Sequence, residues 1–104
     1  MTQHLAATFR QVLGDQNVVE TAPVMGGEDF GRFGREEPRI PICMFWLGTV
    51  DPAKIAESQR TGRPLPSLHS SLYAPVPEPS IKTGVRAMSA AALSLLANRK
   101  TAGK

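Results

Sequence analysis

Apolar residues near the N-terminus recur at the spacing of one helical face. The spacing is i, i+4, i+7 and i+8, which predicts an amphipathic helix over Thr2–Leu13. Thr2 suits the N-cap of this helix and Gly14 its C-terminal cap. The residues of the predicted face are Leu5, Phe9, Val12 and Leu13.

A second amphipathic helix is predicted over residues 81–98. The proline-rich stretch 74–79 before it is expected to be extended, because a residue that precedes proline avoids the helical region. Ser80 then follows in the N-cap position, and residues 99–104 are expected to be a disordered tail. The face predicted to pack consists of Ile81, Val85, Met88, Ala92, Leu95 and Leu96.

The most apolar run of the chain, residues 40–50, shows no clean alternation of apolar and polar positions. It is therefore expected to be a central strand buried on both faces. Residues 18–22 form a shorter strand candidate that ends at Pro23. Residues 51–64 are polar, with a turn of helix at 52–57, and are interpreted as a surface excursion or lid.

This order of helices and strands is an α/β pattern, but two strands cannot cover their own faces. Residues 1–104 are therefore expected to form a single segment, the C-terminal part of a larger α/β domain whose sheet is incomplete in this chain. The high content of Gly and Pro, nine of each, indicates much loop structure.

Composition narrows the classes of function. The net charge is +3 in 104 residues, yet the basic residues are scattered and not interleaved with aromatic residues, so binding to nucleic acid is not expected. No apolar run approaches the length of a membrane span, and the N-terminus lacks the pattern of a signal peptide. The single cysteine, Cys43, suits a reducing compartment, and we expect a cytoplasmic protein.

Two loops carry the candidate chemistry. The first, residues 65–73, holds His69 among proline and small polar residues, which predicts an ordered loop. An imidazole on such a loop is a candidate metal ligand or acid/base group, and a surface or hydrogen-bonded histidine is the alternative. The other histidine, His4, lies in the first turn of the N-terminal helix and is given no function.

The second loop contains two glycines followed by two acids, Gly26, Gly27, Glu28 and Asp29. The glycines permit a sharp turn or the close approach of a ligand. The acids are candidates for the wall of a substrate pocket. The alternative is that they lie in the first turn of a short helix and interact with its dipole.

Three motifs in one order resemble the C-terminal end of a family of metal-dependent amidohydrolases and peptidases, which includes hippurate hydrolase, N-acyl-amino-acid amidohydrolases and aminoacylase-like carboxypeptidases. The resemblance extends from about Leu5 to Leu96. Any one motif is weak, but three with matching spacing are fairly specific. The motifs are Met25-Gly26-Gly27-Glu28-Asp29-Phe30, Phe45-Trp46-Leu47-Gly48 and Leu68-His69-Ser70 followed by a long helix.

The resemblance implies a three-layer α/β/α sandwich, the zinc-peptidase-like catalytic domain, interrupted by a smaller dimerisation domain. It implies two divalent metals and hydrolysis of the amide bond of N-acyl amino acids or small peptides. His69 would be a metal ligand by position, and its imidazole suits zinc, manganese, cobalt or nickel. The partners implied are the substrate and the remainder of the catalytic domain, with a homodimer left open.

The chain departs from the family pattern at Ser71, where the family often has proline. The family's Cys-Gly-His motif, its Glu-Glu pair and its second metal-binding histidine would precede this segment, so no catalytic residue is expected within it. One histidine cannot hold a catalytic metal, and the segment alone is expected to be inactive, with no metal stably bound. Two alternatives are a non-catalytic interaction module derived from this segment and a small basic binding protein.

Overall fold

A computed structural model describes residues 1–22 and 24–98 of the chain. Within them lie three α-helices, α1 (Thr2–Leu13), α2 (Pro52–Thr61) and α3 (Pro77–Asn98), and the 3₁₀ helices Asp15–Asn17 and Phe30–Arg35. The chain divides into two compact units. The first contains Met1–Trp46 and the part of α3 from Val85 onward, and the second is Leu47–Gly84.

The bounds predicted for α1 are confirmed, but its predicted N-cap is wrong. Met1 is the N-cap residue, and no side chain caps this end of the helix. At the other end Gly14 has a φ of 91°, a conformation that favours glycine, and its N–H donates to the Arg10 carbonyl at 2.9 Å. Gly14 therefore ends the helix, as predicted.

Side chains occupy the next carbonyls at the C-terminus of α1. Asn17 Nδ2 donates to the Leu13 carbonyl at 2.7 Å, and the guanidinium of Arg86 in α3 donates to the Val12 carbonyl. These carbonyls have no partner within the helix, so the bonds satisfy them. A 3.2 Å hydrogen bond between His4 Nε2 and Ser94 Oγ joins the N-terminal end of α1 to α3. The two helices therefore run antiparallel in the first unit.

The core of the first unit lies between α1 and α3. Leu5 and Phe9 of α1 are buried against Ala87 and Ala91 of α3. Alanine occupies little space, so the large side chains of α1 can approach the α3 backbone closely. The ring of Phe45 packs on Phe9 with the centroids 4.9 Å apart and the planes tilted by 58°, an arrangement that aromatic pairs favour. Leu13, Val18 and Cys43 complete this cluster.

The prediction of which face of α3 packs is wrong in this structure. Its large apolar side chains are exposed, whereas Ala87 and Ala91 are buried instead. Two neighbouring stripes of α3 satisfy helical spacing, one of large residues and one of small residues, and periodicity alone does not decide which of them packs. The exposed stripe comprises Ile81, Val85, Met88, Ala92, Leu95 and Leu96.

The predicted start of α3 is also wrong, because the helix begins at Pro77 and includes Ser80. The Val76 carbonyl accepts from the Ser80 N–H at 3.3 Å and from Ser80 Oγ at 2.5 Å. Pro77 and Pro79 fall in the first helical turn, where backbone N–H groups have no partner within the helix, so their missing donors cost little. No helix in the described ranges is long and apolar enough to cross a membrane.

Residues 40–50 do not form the strand that was predicted, and residues 1–22 and 24–98 contain no strand elsewhere, including at 18–22. Cys43 and Phe45 pack against the core, whereas Met44 and Trp46 are 56% and 58% exposed. Burial on both faces is therefore wrong for this chain, because a strand needs neighbouring strands to pair with it. The α/β/α sandwich stays a prediction about a larger domain.

The second unit is organised around α2, which is longer than the turn predicted at 52–57. Asp51 Oδ1 accepts from the Ala53 N–H at 2.8 Å, and Pro52 occupies the first turn, both common at helix starts. Gly62 ends the helix in the left-handed conformation with a φ of 72°. Residues 99–104, predicted to be a disordered tail, and Pro23 lie outside the described residues.

We expect Phe9→Ala to lower the free energy of unfolding by about 3 kcal/mol, since it empties the centre of the α1–α3 core. Phe33→Ala is the matched control: Phe33 is 67% exposed, and its loss should change stability by less than about 0.5 kcal/mol. Urea unfolding followed by circular dichroism measures both. Equal losses for the two variants would contradict the assignment of the core.

Candidate functional site

His69 lies in a pair of consecutive turns in the second unit. The first turn closes around it with a 3.0 Å hydrogen bond from the Ser70 N–H to the Ser67 carbonyl. The second closes with a 3.0 Å bond from the Tyr73 N–H to the Ser70 carbonyl. Ser70 Oγ also accepts from the Leu72 N–H at 3.1 Å, a local bond typical of serine in turns. The loop is therefore ordered by turns, as predicted, and His69 is exposed on it.

The C-terminal side of this loop is tied to residue 49. A hydrogen bond joins Tyr73 OH to Thr49 Oγ1. The Val76 N–H donates to the Thr49 carbonyl at 2.8 Å. The segment around Thr49 is itself held on α3, where a Cβ added to Gly84 would lie 3.3 Å from Leu47 Cδ2.

Thr49 and Tyr73 are not among the functional residues predicted from the sequence. Two signals could have identified them: Tyr73 is the single tyrosine of the chain and lies four residues after His69, and Thr49 is a polar residue near the end of the most apolar run. The side chains of Tyr and Thr both seek a hydrogen-bond partner when they are partly buried. Their pairing across 24 positions is not visible in any local pattern.

A small cavity lies beside Tyr73. Its volume is about 40 Å³, enough for only a few water molecules and far below the roughly 300–1,000 Å³ of ligand pockets. This cavity is therefore too small to be a substrate site. It is lined by Val50, Lys54, Leu65, Pro66, Leu72, Tyr73 and Ala74.

The two acids of the second loop lie at the start of the 3₁₀ helix Phe30–Arg35, in the first unit. Glu28 Oε1 accepts from the Phe30 N–H at 2.6 Å, and the Asp29 carbonyl accepts from the Arg32 N–H at 3.0 Å. Both side chains are exposed. Glu28 therefore bonds to the first N–H of this helix from a position before it, whereas the first turn itself contains no acid, so the alternative that both acids lie in that turn is wrong. A role for Glu28 and Asp29 in a pocket wall stays a prediction.

Gly26 and Gly27 do not use the conformational freedom of glycine in a tight turn. Positive φ angles in residues 1–22 and 24–98 occur at Gly14 and Gly62. A Cβ added to Gly26 or Gly27 would meet no atom of the described chain within 4 Å. The close approach of a ligand to these glycines, and a pocket that they share with His69, stay predictions.

The donors needed for a metal site are not gathered in this chain. Among residues 1–22 and 24–98, no three His, Cys, Asp or Glu side chains are grouped so that they could hold a metal ion. A catalytic zinc takes about three protein ligands. The exposed imidazole of His69 fits the role of one ligand, whereas His4 bonds to Ser94 and Cys43 packs against the core. Any catalytic metal held by His69 therefore needs further donors from outside these residues.

Comparison with known proteins identifies a set of bacterial deacetylases as similar to this chain. The N-acetyldiaminopimelate deacetylase of Ligilactobacillus salivarius is 42% identical over 74 residues, 71% of this chain and 15% of that protein. The enzymes of the same name from Lactobacillus acidophilus and Lacticaseibacillus paracasei are 39% identical over 72 residues and 47% identical over 51 residues. These matches cover 69% and 46% of this chain, and 15% and 12% of the two enzymes.

The chain thus corresponds to a minor part of these relatives, about 15% of the length of the Ligilactobacillus salivarius protein. Any stretch of 74 residues within 104 must contain residues 31–74, so that match spans the His69 loop. No family model matches the chain. No solved structure matches it significantly.

Proposed function

We propose that this chain is the C-terminal part of the catalytic domain of a metal-dependent amidohydrolase. Its substrate class would be N-acyl amino acids, and the names of the relatives point to an N-acetylated diamino acid such as N-acetyldiaminopimelate. One observation carries the proposal: the match to these deacetylases spans the loop that presents His69. Hydrolysis of such a substrate breaks the amide C–N bond, adds water across it, and releases acetate and a free amine.

In the proposed enzyme His69 would hold a divalent metal, which we expect to be zinc, manganese, cobalt or nickel. A bound metal of this kind polarises the scissile carbonyl and activates a water molecule. The role of the chain is to present the His69 imidazole on a loop whose turns fix the backbone at Ser67, Ser70 and Tyr73. The remaining ligands and the general base would come from the rest of the enzyme, so the chain alone is proposed to be inactive.

We also propose that the rest of the catalytic domain covers the exposed apolar stripe of α3. The stripe runs along about three quarters of α3, from Ile81 to Leu96, and isolated soluble proteins rarely leave such a continuous apolar face in water. The partner argued for is the same polypeptide, because the chain corresponds to only about 15% of the length of a matched relative. A sheet supplied by that remainder would complete the proposed α/β/α sandwich.

Met88→Lys tests which partner covers the stripe. In the 104-residue chain Met88 is exposed, so the free energy of unfolding should change by less than about 0.5 kcal/mol. In the complete enzyme the same change would bury an unpaired charge and cost several kcal/mol, measured by urea unfolding. Ser89→Lys, an exposed neighbour outside the stripe, should be tolerated in both.

Two results would contradict this assignment. One is a complete enzyme that tolerates Met88→Lys as well as it tolerates Ser89→Lys. The other is a 104-residue chain that is a stable dimer in sedimentation analysis and becomes monomeric with Met88→Lys, which would make a second copy the partner. That second result would favour the interaction module over the enzyme segment.

In the complete enzyme His69→Ala should lower metal content and acetate release together, by at least about tenfold each, while the circular dichroism spectrum stays unchanged. The reason is that removal of a metal ligand weakens metal binding directly. Elemental analysis of the purified protein measures the metal. His4→Ala is the matched control and should leave metal content and activity unchanged, since its bond to Ser94 lies in the α1–α3 pair. A His69→Ala enzyme with normal metal content would refute the ligand assignment.

Two further expectations belong to this proposal. The complete enzyme would form a homodimer through the dimerisation domain that the family resemblance implies. It would work in the reducing cytoplasm, where the single cysteine, Cys43, stays a thiol.

A further inference from the structure

The hydroxyl pair of Thr49 and Tyr73 stands at the centre of the hydrogen bonds that shape the His69 loop. Thr49 contributes two bonds, one from its side chain to Tyr73 OH and one from its carbonyl to the Val76 N–H at 2.8 Å. These bonds fix the chain on the C-terminal side of the loop at two points three residues apart. Both Thr49 and Tyr73 are half-buried, so the bond between them is partly shielded from competing water.

A continuous series of bonds leads from Tyr73 back to His69. The Tyr73 N–H donates to the Ser70 carbonyl, and the Ser70 N–H donates to the Ser67 carbonyl, each at 3.0 Å. His69 lies inside the turn that the Ser70–Ser67 bond closes. A shift of Tyr73 would therefore move Ser70 and, through it, the backbone that carries the imidazole.

The segment around Thr49 lies between α2 and α3. Leu47 packs against α3 at Gly84, where even a methyl group would lie 3.3 Å from Leu47 Cδ2. On the other side of Thr49, Asp51 caps α2 through its 2.8 Å bond to the Ala53 N–H. Thr49 thus lies between two helices, whereas His69 is exposed, in a loop that its own turns close.

We propose that Thr49 and Tyr73 are positioning residues that hold the His69 imidazole in the orientation needed to bind metal. This inference rests on the proposed function, because it takes His69 as a ligand. The requirement is physical: groups that support a metal ligand must fix it to within about 0.5 Å, and their loss weakens metal binding without removing any ligand. Neither residue contacts the metal in this account.

The first experiment uses NMR relaxation of the 104-residue chain to measure whether the Thr49–Tyr73 hydrogen bond orders the His69 loop. Tyr73→Phe and Thr49→Val each delete one hydroxyl and keep the shape of the side chain. The backbone order parameters of residues 67–70 should fall from about 0.85 to below about 0.6, while those of α2 stay unchanged. Thr8→Val is the matched control, because Thr8 Oγ1 donates to the His4 carbonyl within α1, at 3.1 Å, away from the His69 loop. Thr49→Ser keeps the hydroxyl and should behave as the unmodified chain.

The second experiment measures the metal dissociation constant of the complete enzyme by competition with a chelator. Tyr73→Phe and Thr49→Val should each raise it by roughly 10–100-fold. The dissociation constant of the double variant should be no higher than that of the single variant that binds metal more weakly, since each substitution removes the same hydrogen bond. Excess metal should restore kcat in these variants, a rescue that a folding defect would not show. Thr49→Ser and Thr8→Val should keep the unmodified dissociation constant.

The outcomes separate this inference from the proposed function. If His69→Ala abolishes metal binding but Tyr73→Phe and Thr49→Val bind metal normally, the positioning role is wrong and the ligand role stands. If His69→Ala binds metal normally, the proposed function itself fails. If the order parameters of residues 67–70 in both hydroxyl variants match those of the unmodified chain, the Thr49–Tyr73 bond does not order the His69 loop. The positioning role is then overturned.

Discussion

Close packing of α1 on the small-residue face of α3 is the contact on which the first unit depends. Ala87 and Ala91 leave room for Leu5 and Phe9, and the Arg86 guanidinium and the His4–Ser94 bond join α1 to α3 near both ends of α1. This choice of face has a consequence for the rest of α3. Once the alanines pack inward, the neighbouring stripe of large apolar residues must point outward. The stripe is therefore exposed because the core of this chain buries the alanine face of α3.

The second unit presents the His69 imidazole on a loop that is held by turns and hydrogen bonds. Serine and proline shape the turns, and the bond from Tyr73 to Thr49 ties those turns to a segment held between α2 and α3. An exposed imidazole on such a loop has the properties of one metal ligand, but one ligand performs no catalysis. The chain therefore makes chemical sense as a contributor to a site, which agrees with its match to about 15% of a much longer deacetylase.

Local chemistry explains what could be predicted. The bounds of α1 follow from its amphipathic spacing and Gly14, and the turns around His69 follow from proline and serine. The packed face of α3 could not be derived, because two stripes share the same period and the partner decides between them. The strand at 40–50 failed since strand pairing needs neighbours that no local pattern supplies. The Thr49–Tyr73 bond joins residues 24 positions apart, so a pass along the sequence does not reveal it.

We propose that this chain is a working segment of a deacetylase. This proposal can be tested directly by replacing the matched stretch of the Ligilactobacillus salivarius N-acetyldiaminopimelate deacetylase with the 74 residues of this chain that match it. The rate of acetate release from N-acetyldiaminopimelate is then measured with purified, folded chimera. The account predicts a rate within about tenfold of the parent enzyme, and the loss of that rate when His69→Ala is added. A folded chimera that releases no acetate, or one that is equally active without His69, would contradict it.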